Sequence, residues 1–321
     1  MKDGVLPELI VITGPTATGK STLGVHLAKR LNGEIISADS MQVYKNMEIG
    51  TAAPTADEMG GIPHHLIGFI SPRDDYSVAR YVLDASKCID DILLRGKTPI
   101  LVGGSGLYID SVIAGRCFQA RGDSVLRKRL EKEYDTCGGE SMLKKLRDVD
   151  EESASKLNVN DKKRIVRAFE AYETTGKPLS LHDKESKTLP QKYDVLKIAL
   201  SYSDRSYLYT KIDKRVDEMM SKGLVQEVIS LLKSGVSRYN TSMQAIGYKE
   251  FSSVLTDDIN NVENIDFSEI VDKVKLESRR YAKRQLTWLR RDNNIKWIIW
   301  NDSPDYTGAV EKISEFLNEK K

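Results

Sequence analysis

Cysteine is scarce in this chain of 321 residues: Cys88, Cys117 and Cys137 are odd in number, 29 and 20 positions apart, with no CxxC pair. A disulfide framework is excluded and no zinc pattern is present, so a reducing cytoplasm is the expected setting. Long hydrophobic runs are also missing. No stretch of 18 apolar residues occurs, and no membrane-spanning helix is expected. The opening MKDGVLPELIVITG sets acids and a proline ahead of one short apolar run, unlike a secretory signal. Nor does one sign of charge dominate, since 49 Lys+Arg stand against 47 Asp+Glu for a formal net charge of +2. That excludes a uniformly basic protein, but a total says nothing about segregation. Repeats and low-complexity linkers are absent.

The residues present describe an ordinary globular protein, 40% apolar and 30% charged, long enough for about two domains with real cores. Over roughly the first 115 residues, apolar strand-like segments alternate with helix-period ones. ELIVIT, EIISAD, HHLIGFI and TPILVGG read as strands; LGVHLAKRL and about Ser77 to Arg95 read as helices. This alternation predicts a parallel sheet covered by helices. Between about 120 and 190 the strand signals stop and charged helical segments such as DKKRIVRAFEAYETTG take over. A helical insertion (119–192) is expected within an α/β core (1–118 and 193–321). YDVLKIAL (193–200) would return the chain to the sheet, and KWIIW would add a last edge strand.

The first chemical signal is Gly14-Pro15-Thr16-Ala17-Thr18-Gly19-Lys20-Ser21, a complete G-x-x-x-x-G-K-[ST]. It follows an apolar strand and opens a helix, where backbone amides and the helix dipole can cradle a di- or triphosphate. Lys20 would meet the terminal phosphate, and Ser21 or Thr22 could offer a hydroxyl to Mg²⁺. A nucleotide hydrolase also needs an acid after a second apolar strand, yet TPILVGG runs into Gly103-Gly104-Ser105 with none. The acid that does follow a strand is Asp39. It is either a metal ligand or general base close to the phosphates, or a turn or cap aspartate. His64 and His65 have no partner at ligand spacing, which favours a structural or hydrogen-bonding role.

Taken together, GPTATGKS, ISADSMQVYKNMEIGTAAP, IPHHL, DYSVARY, LVGGSGLYI, NDKKRIVRAFE, MQAIGYKE and RRYAKRQLTWLRR resemble, in order, the blocks of the bacterial tRNA dimethylallyltransferases (tRNA isopentenyltransferases). They run from about Leu9 to Trp297. The resemblance implies a P-loop NTPase-like parallel sheet with an inserted all-helical domain. It also implies transfer of a dimethylallyl group from its diphosphate to N6 of the adenosine just 3′ of a tRNA anticodon. The phosphate loop (Gly14 to Thr22) would then hold a prenyl diphosphate, and the missing acid after TPILVGG ceases to be an anomaly. Asp39 becomes the acceptor for the attacking amine, with Lys20, Mg²⁺ near Ser21, and Arg215 on the leaving diphosphate. Without the resemblance, Arg215 reads as part of a solvated charged helix face.

Ser105 matches a position where the family usually has Thr, and Ala53 one where it often has Lys. Family carry-over further points to tRNA contact by Asp39, Ser40, Met41, Gln42, Ser105 and Arg127. It adds Lys163, Arg164, Ile165, Val166 and Arg167, then Met243, Gln244, Ala245, Ile246, Gly247 and Tyr248. The last group is Lys283, Arg284, Gln285, Leu286, Thr287, Trp288, Leu289 and Arg290. Charge segregation agrees. Residues 250–272 carry seven acids and no base, whereas 273–291 carry eight bases and one acid. Arg280 and Arg284 share one helical face there, while Val274, Tyr281 and Trp288 recur at sevens on a packing side. Expected partners are the tRNA anticodon stem-loop and dimethylallyl diphosphate, with no membrane, no C-terminal zinc finger and a monomeric state. A P-loop small-molecule kinase and a non-catalytic RNA-binding or ATP-switch protein are the alternatives.

Overall fold

The computed structural model describes residues 7–115, 124–188, 191–255 and 266–319. Cys117, the expected 118/119 boundary and the acids Asp257, Asp258 and Glu263 lie outside them. The chain divides into two compact units, Met1–Ile113 with Tyr193–Lys321, and Ala114–Lys192.

In the first unit, β1 (Leu9–Thr13), α1 (Lys20–Leu31), β2 (Gly33–Ser37), α2 (Glu48–Thr51), α3 (Ala56–Met59), β3 (His64–His65), α4 (Val78–Leu94), β4 (Thr98–Val102) and α5 (Gly106–Ile113) precede the insertion. The insertion consists of α6 (Ser124–Val149), α7 (Glu151–Lys156), α8 (Lys162–Thr175) and α9 (Leu179–Thr188). The chain then returns through β5 (Val195–Tyr202), α10 (Arg205–Ser221), α11 (Leu224–Lys233), α12 (Tyr248–Ser252), α13 (Ser268–Leu289), β6 (Lys296–Trp300) and α14 (Tyr306–Glu319).

The six strands form one parallel sheet in the order β3-β2-β4-β1-β5-β6. β1, β2 and β4 are buried at every residue, as strands covered on both faces must be. Ile10 pairs with Ile100 and Leu9 with Val195, so β1 is central and its carboxyl end faces the crevice where α/β sheets hold ligands. Ile12, Leu23, Leu27, Ile100, Ile198, Leu200, Leu286 and Ile313 belong to one core under that end.

HHLIGFI does not extend as a strand. Only His64 and His65 pair with β2, and Ile70 makes an isolated bridge to Tyr44. Leu66 and Gly68 take φ of 63° and 57°, a left-handed turn that breaks the pleat. Neither histidine is poised for a metal: His64 Nδ1 bonds the Ile62 carbonyl at 2.8 Å and His65 Nε2 bonds buried Glu34 at 2.8 Å.

The insertion has its own core of Leu130, Met142, Leu143, Leu146, Ile165, Val166 and Phe169. α6 bends at Gly138 (φ 77°, ψ 160°), and a Cβ on Gly139 would lie 2.0 Å from the Val159 carbonyl oxygen. The Gly-Gly pair therefore sets both the kink and the close approach behind it.

Candidate active site

The phosphate loop turns because three of its residues accept positive φ: Gly14 at 147°, Ala17 at 62° and Gly19 at 80°. Successive amides in such a turn can point at one anion. α1 starts at Lys20 with no side-chain cap from Gly19, which leaves its first-turn amides available to a ligand. The loop is gripped from the far end of the sequence. Trp300 Nε1 donates to the Thr18 carbonyl at 3.0 Å, and a Cβ on Gly19 would lie 2.5 Å from the Tyr306 hydroxyl. Within the loop, Thr18 Oγ1 donates to the Pro15 carbonyl at 2.8 Å.

Lys20 Nζ donates to the same Pro15 oxygen at 2.7 Å. Burial, with Arg215 close by, lowers its ammonium to about 7, against a smaller opposing pull from Asp39. Arg215 on α10 is likewise lowered by burial and raised by Asp39. These three charges share one field. Ser21 and Thr22 are exposed at the head of α1.

Asp39 leaves the end of β2 into a turn. Its Oδ1 accepts from the Met41 amide at 2.9 Å and the Gln42 amide at 3.4 Å. The turn reading of this aspartate is thus realised on one oxygen. The other, Oδ2, has no protein hydrogen bond among the described residues. Asp39 lines a cavity of about 330 Å³ together with Thr16, Met41, Thr51, Arg215 and Tyr281. The rest of the wall includes Ile212, Val216 and Met219 of α10, Val274 of α13, and Ala245 and Ile246. One cleft therefore joins an edge of the phosphate loop at Thr16, a carboxylate and an apolar lining.

The Gly103-Gly104-Ser105-Gly106 turn is glycine-rich for packing. A Cβ on Gly103 would meet the Ala38 carbonyl oxygen at 2.2 Å, on Gly104 the Gln285 amide nitrogen at 2.2 Å, and on Gly106 the Trp288 indole at 2.5 Å. Gly104 and Gly106 let α13 sit directly on the strand ends. Gln285 ties two loops together: Oε1 accepts from the Thr16 amide at 3.0 Å and Nε2 donates to the Gly104 carbonyl at 3.1 Å. Trp288 Nε1 donates to Asp110 at 2.8 Å. Ser105 Oγ accepts from the Ser40 amide at 3.0 Å, which fixes the hydroxyl without the methyl of a threonine.

The residues expected to face tRNA divide by burial. Met243, Ala245, Tyr248, Gln285, Leu286 and Leu289 are buried, as are Ile165 and Val166 in the insertion. Ala245 nevertheless lines the cavity. Gln42 is engaged as well, bonding Ser37 and the Thr51 and Ala52 carbonyls. Lys283, Arg284, Thr287, Arg290, Lys163 and Arg164 are exposed. Arg127 and Arg167 both pair with buried Glu170, at 2.9 and 3.1 Å, so part of their charge is spent inside the insertion. Arg280 pairs with Glu277 at 2.7 Å and Arg279 with Asp213 at 2.5 Å.

The sequence places Tyr281 on a packing side, yet it is the aromatic member of the cavity wall. Its phenol is raised to about 12 by burial and by Asp39, with Ser105 and Gln285 in hydrogen-bonding reach. Arg284 lies over its ring at 5.7 Å. A tyrosine one position beyond an Arg-Arg pair was the available signal.

A sequence model described as IPP transferase matches residues 42–292. A tRNA dimethylallyltransferase of Caldanaerobacter subterraneus subsp. tengcongensis is 47% identical over 312 residues, 97% of each chain. That of Oceanobacillus iheyensis is 46% identical over 97% of this chain and 96% of its own. Among solved structures, a tRNA isopentenylpyrophosphate transferase from Bacillus halodurans superposes with a TM-score of 0.70 at 40% identity, covering 97% of this chain and 96% of its own. A eukaryotic dimethylallyltransferase solved acting on tRNA gives 0.80 at 30% identity, over 98% of this chain and 80% of its own. With the phosphate loop, the strand-end aspartate and the helix-covered glycine turn already in place, these matches mean that the chain belongs to the IPP transferase family.

Proposed function

We propose that this protein prenylates tRNA, transferring a dimethylallyl group from dimethylallyl diphosphate to N6 of the adenosine 3′-adjacent to the anticodon. The observation that carries the reading is the single cavity in which Asp39, Arg215 and the phosphate loop meet an apolar wall. A hydrocarbon tail and a diphosphate head need that combination.

In the reaction, N6 forms a bond to C1 of the allyl group as the C1–O bond to diphosphate breaks. The departing electron pair stays on the diphosphate, where Lys20, Arg215 and the amides of Gly14 to Thr22 meet it. The N6 proton passes to the uncommitted Oδ2 of Asp39. Tyr281 and Met41 line the space open to a base extruded from its stack. Mg²⁺ would fit the exposed Ser21 hydroxyl beside the loop, a hard oxygen ligand. When bound, the ion supplies charge neutralisation for the leaving diphosphate. Backbone contact from the anticodon stem-loop falls to the exposed cations Lys283, Arg284 and Arg290, with Lys163 and Arg164 in the insertion.

A small-molecule kinase is not favoured: β4 ends in Gly103-Gly104-Ser105 with no acid, and the relatives are tRNA-modifying enzymes. Mixing the protein with Mg²⁺, dimethylallyl diphosphate and an unmodified anticodon stem-loop tests the reading by mass spectrometry. One five-carbon gain on the adenosine is expected. No gain, under conditions where both substrates bind, would sink it.

A further inference from the structure

Glu227, on α11, has no part in the chemistry above, yet three donors converge on its carboxylate. The Ile49 amide donates to Oε2 at 2.8 Å, the Gly50 amide to Oε1 at 3.0 Å, and the Tyr248 hydroxyl to Oε1 at 2.6 Å. Burial and Glu227 itself raise the Tyr248 phenol far above its ordinary value, so it stays a donor. Tyr248 also presses on the turn: a Cβ on Gly50 would lie 2.4 Å from its ring. The other end of that turn meets the candidate site. The Thr51 carbonyl accepts from Arg215 Nη2 at 3.3 Å and from Gln42 Nε2 at 3.4 Å, and both Gly50 and Thr51 line the cavity.

Arginine has a long side chain with many rotamers, and its value on a diphosphate depends on arriving already aimed. We propose that Glu227 is a positioning residue for the donor subsite: by holding the Ile49–Thr51 turn it fixes the Thr51 carbonyl, and through it the Arg215 guanidinium, toward the diphosphate. This rests on the assignment of that cavity to dimethylallyl diphosphate. A carboxylate suits the task because it only accepts, and all three neighbours donate. Glutamine would turn an NH₂ group toward an N–H.

Glu227→Gln and Tyr248→Phe test the inference, the second keeping the ring that packs on Gly50. Calorimetry with inorganic diphosphate reads the subsite without requiring turnover. Glu227→Gln should weaken diphosphate about tenfold and raise the KM for dimethylallyl diphosphate similarly, with kcat at saturating donor within about threefold. Stem-loop affinity should not move. Tyr248→Phe should shift diphosphate affinity the same way, by less. In an Arg215→Ala background Glu227→Gln should add nothing, because it acts through that arginine. Wild-type diphosphate affinity in a folded Glu227→Gln protein, or an undiminished effect without Arg215, overturns the inference. If Glu227→Gln does not fold, wild-type affinity in Tyr248→Phe overturns it instead. Should the wild type bind diphosphate as described and fail to prenylate, the reaction reading falls while this one stands.

Discussion

Lys20 makes donor binding sensitive to pH in a direction the structure fixes. Burial beside Arg215 brings its ammonium from 10.5 down to about 7. At pH 8, therefore, only about one free molecule in ten carries the charge that a diphosphate needs. A diphosphate seated on the loop favours the charged form, so binding above neutrality must take up a proton. Affinity for dimethylallyl diphosphate should then fall as pH rises from 7 to 9, by at most about tenfold per unit. The ligand contributes little to this trend, because the terminal phosphate of an ester completes its last ionisation near pH 6. Stability of the unliganded protein should move the other way. The unfolded chain binds more protons than the folded one between about 7 and 10.5, so this group's contribution rises with pH across that window. Calorimetry at pH 8 in two buffers of different ionisation enthalpy measures the proton uptake directly. Lys20→Arg, which cannot titrate there, should abolish both the uptake and the slope. A pH-independent affinity with no proton uptake would refute the reasoning.

Three other perturbations probe different layers. Gln285→Leu strands the Thr16 amide and the Gly104 carbonyl, which should cost about 1–3 kcal/mol by urea denaturation and weaken diphosphate binding together. Glu34 is buried beneath Arg95, Lys97 and His65, and chiefly the Arg95 hydrogen bonds hold its carboxyl well below the usual range. Its stabilisation is present at neutral pH and is lost as pH falls below about 4.5; Glu34→Gln should cost about 1–3 kcal/mol at pH 7 and flatten the acid limb of a stability profile. Lys283 is exposed and free of ion pairs among the described residues, so Lys283→Ala should lower the slope of log affinity against log salt for the stem-loop by about 1. An unchanged slope would return that residue to a merely solvated face.

Much of the site was legible because phosphate chemistry imposes local spacing. Gly14, Gly19 and Lys20 must stand where they do whatever the rest of the chain does. Asp39 was legible for a similar reason, as the acid at a strand end. What could not be read was burial decided by distant partners. MQAIGYKE and RQLTWLRR look polar enough to face RNA, yet Tyr248 and Gln285 are drawn inside by Glu227 and the phosphate loop, 21 and 269 residues away. Glu227 itself gave no signal, because its ligands at Ile49 and Gly50 lie more than 170 positions upstream. The apolar run HHLIGFI misled for a local reason: its composition suits a strand, but the left-handed turn at Leu66 does not show in composition.

The grip of Trp300 on Thr18 sets a clock on the nascent chain. The two residues are 282 positions apart, and at 5–20 residues per second the ribosome needs roughly 15–55 seconds to deliver the second after the first. Throughout that interval the phosphate loop exists as sequence without its final brace. β1, β2 and β4 can pair early, but the part that must seize a diphosphate is completed by almost the last strand made. Damage to the C-terminal strand would therefore loosen the first motif in the chain.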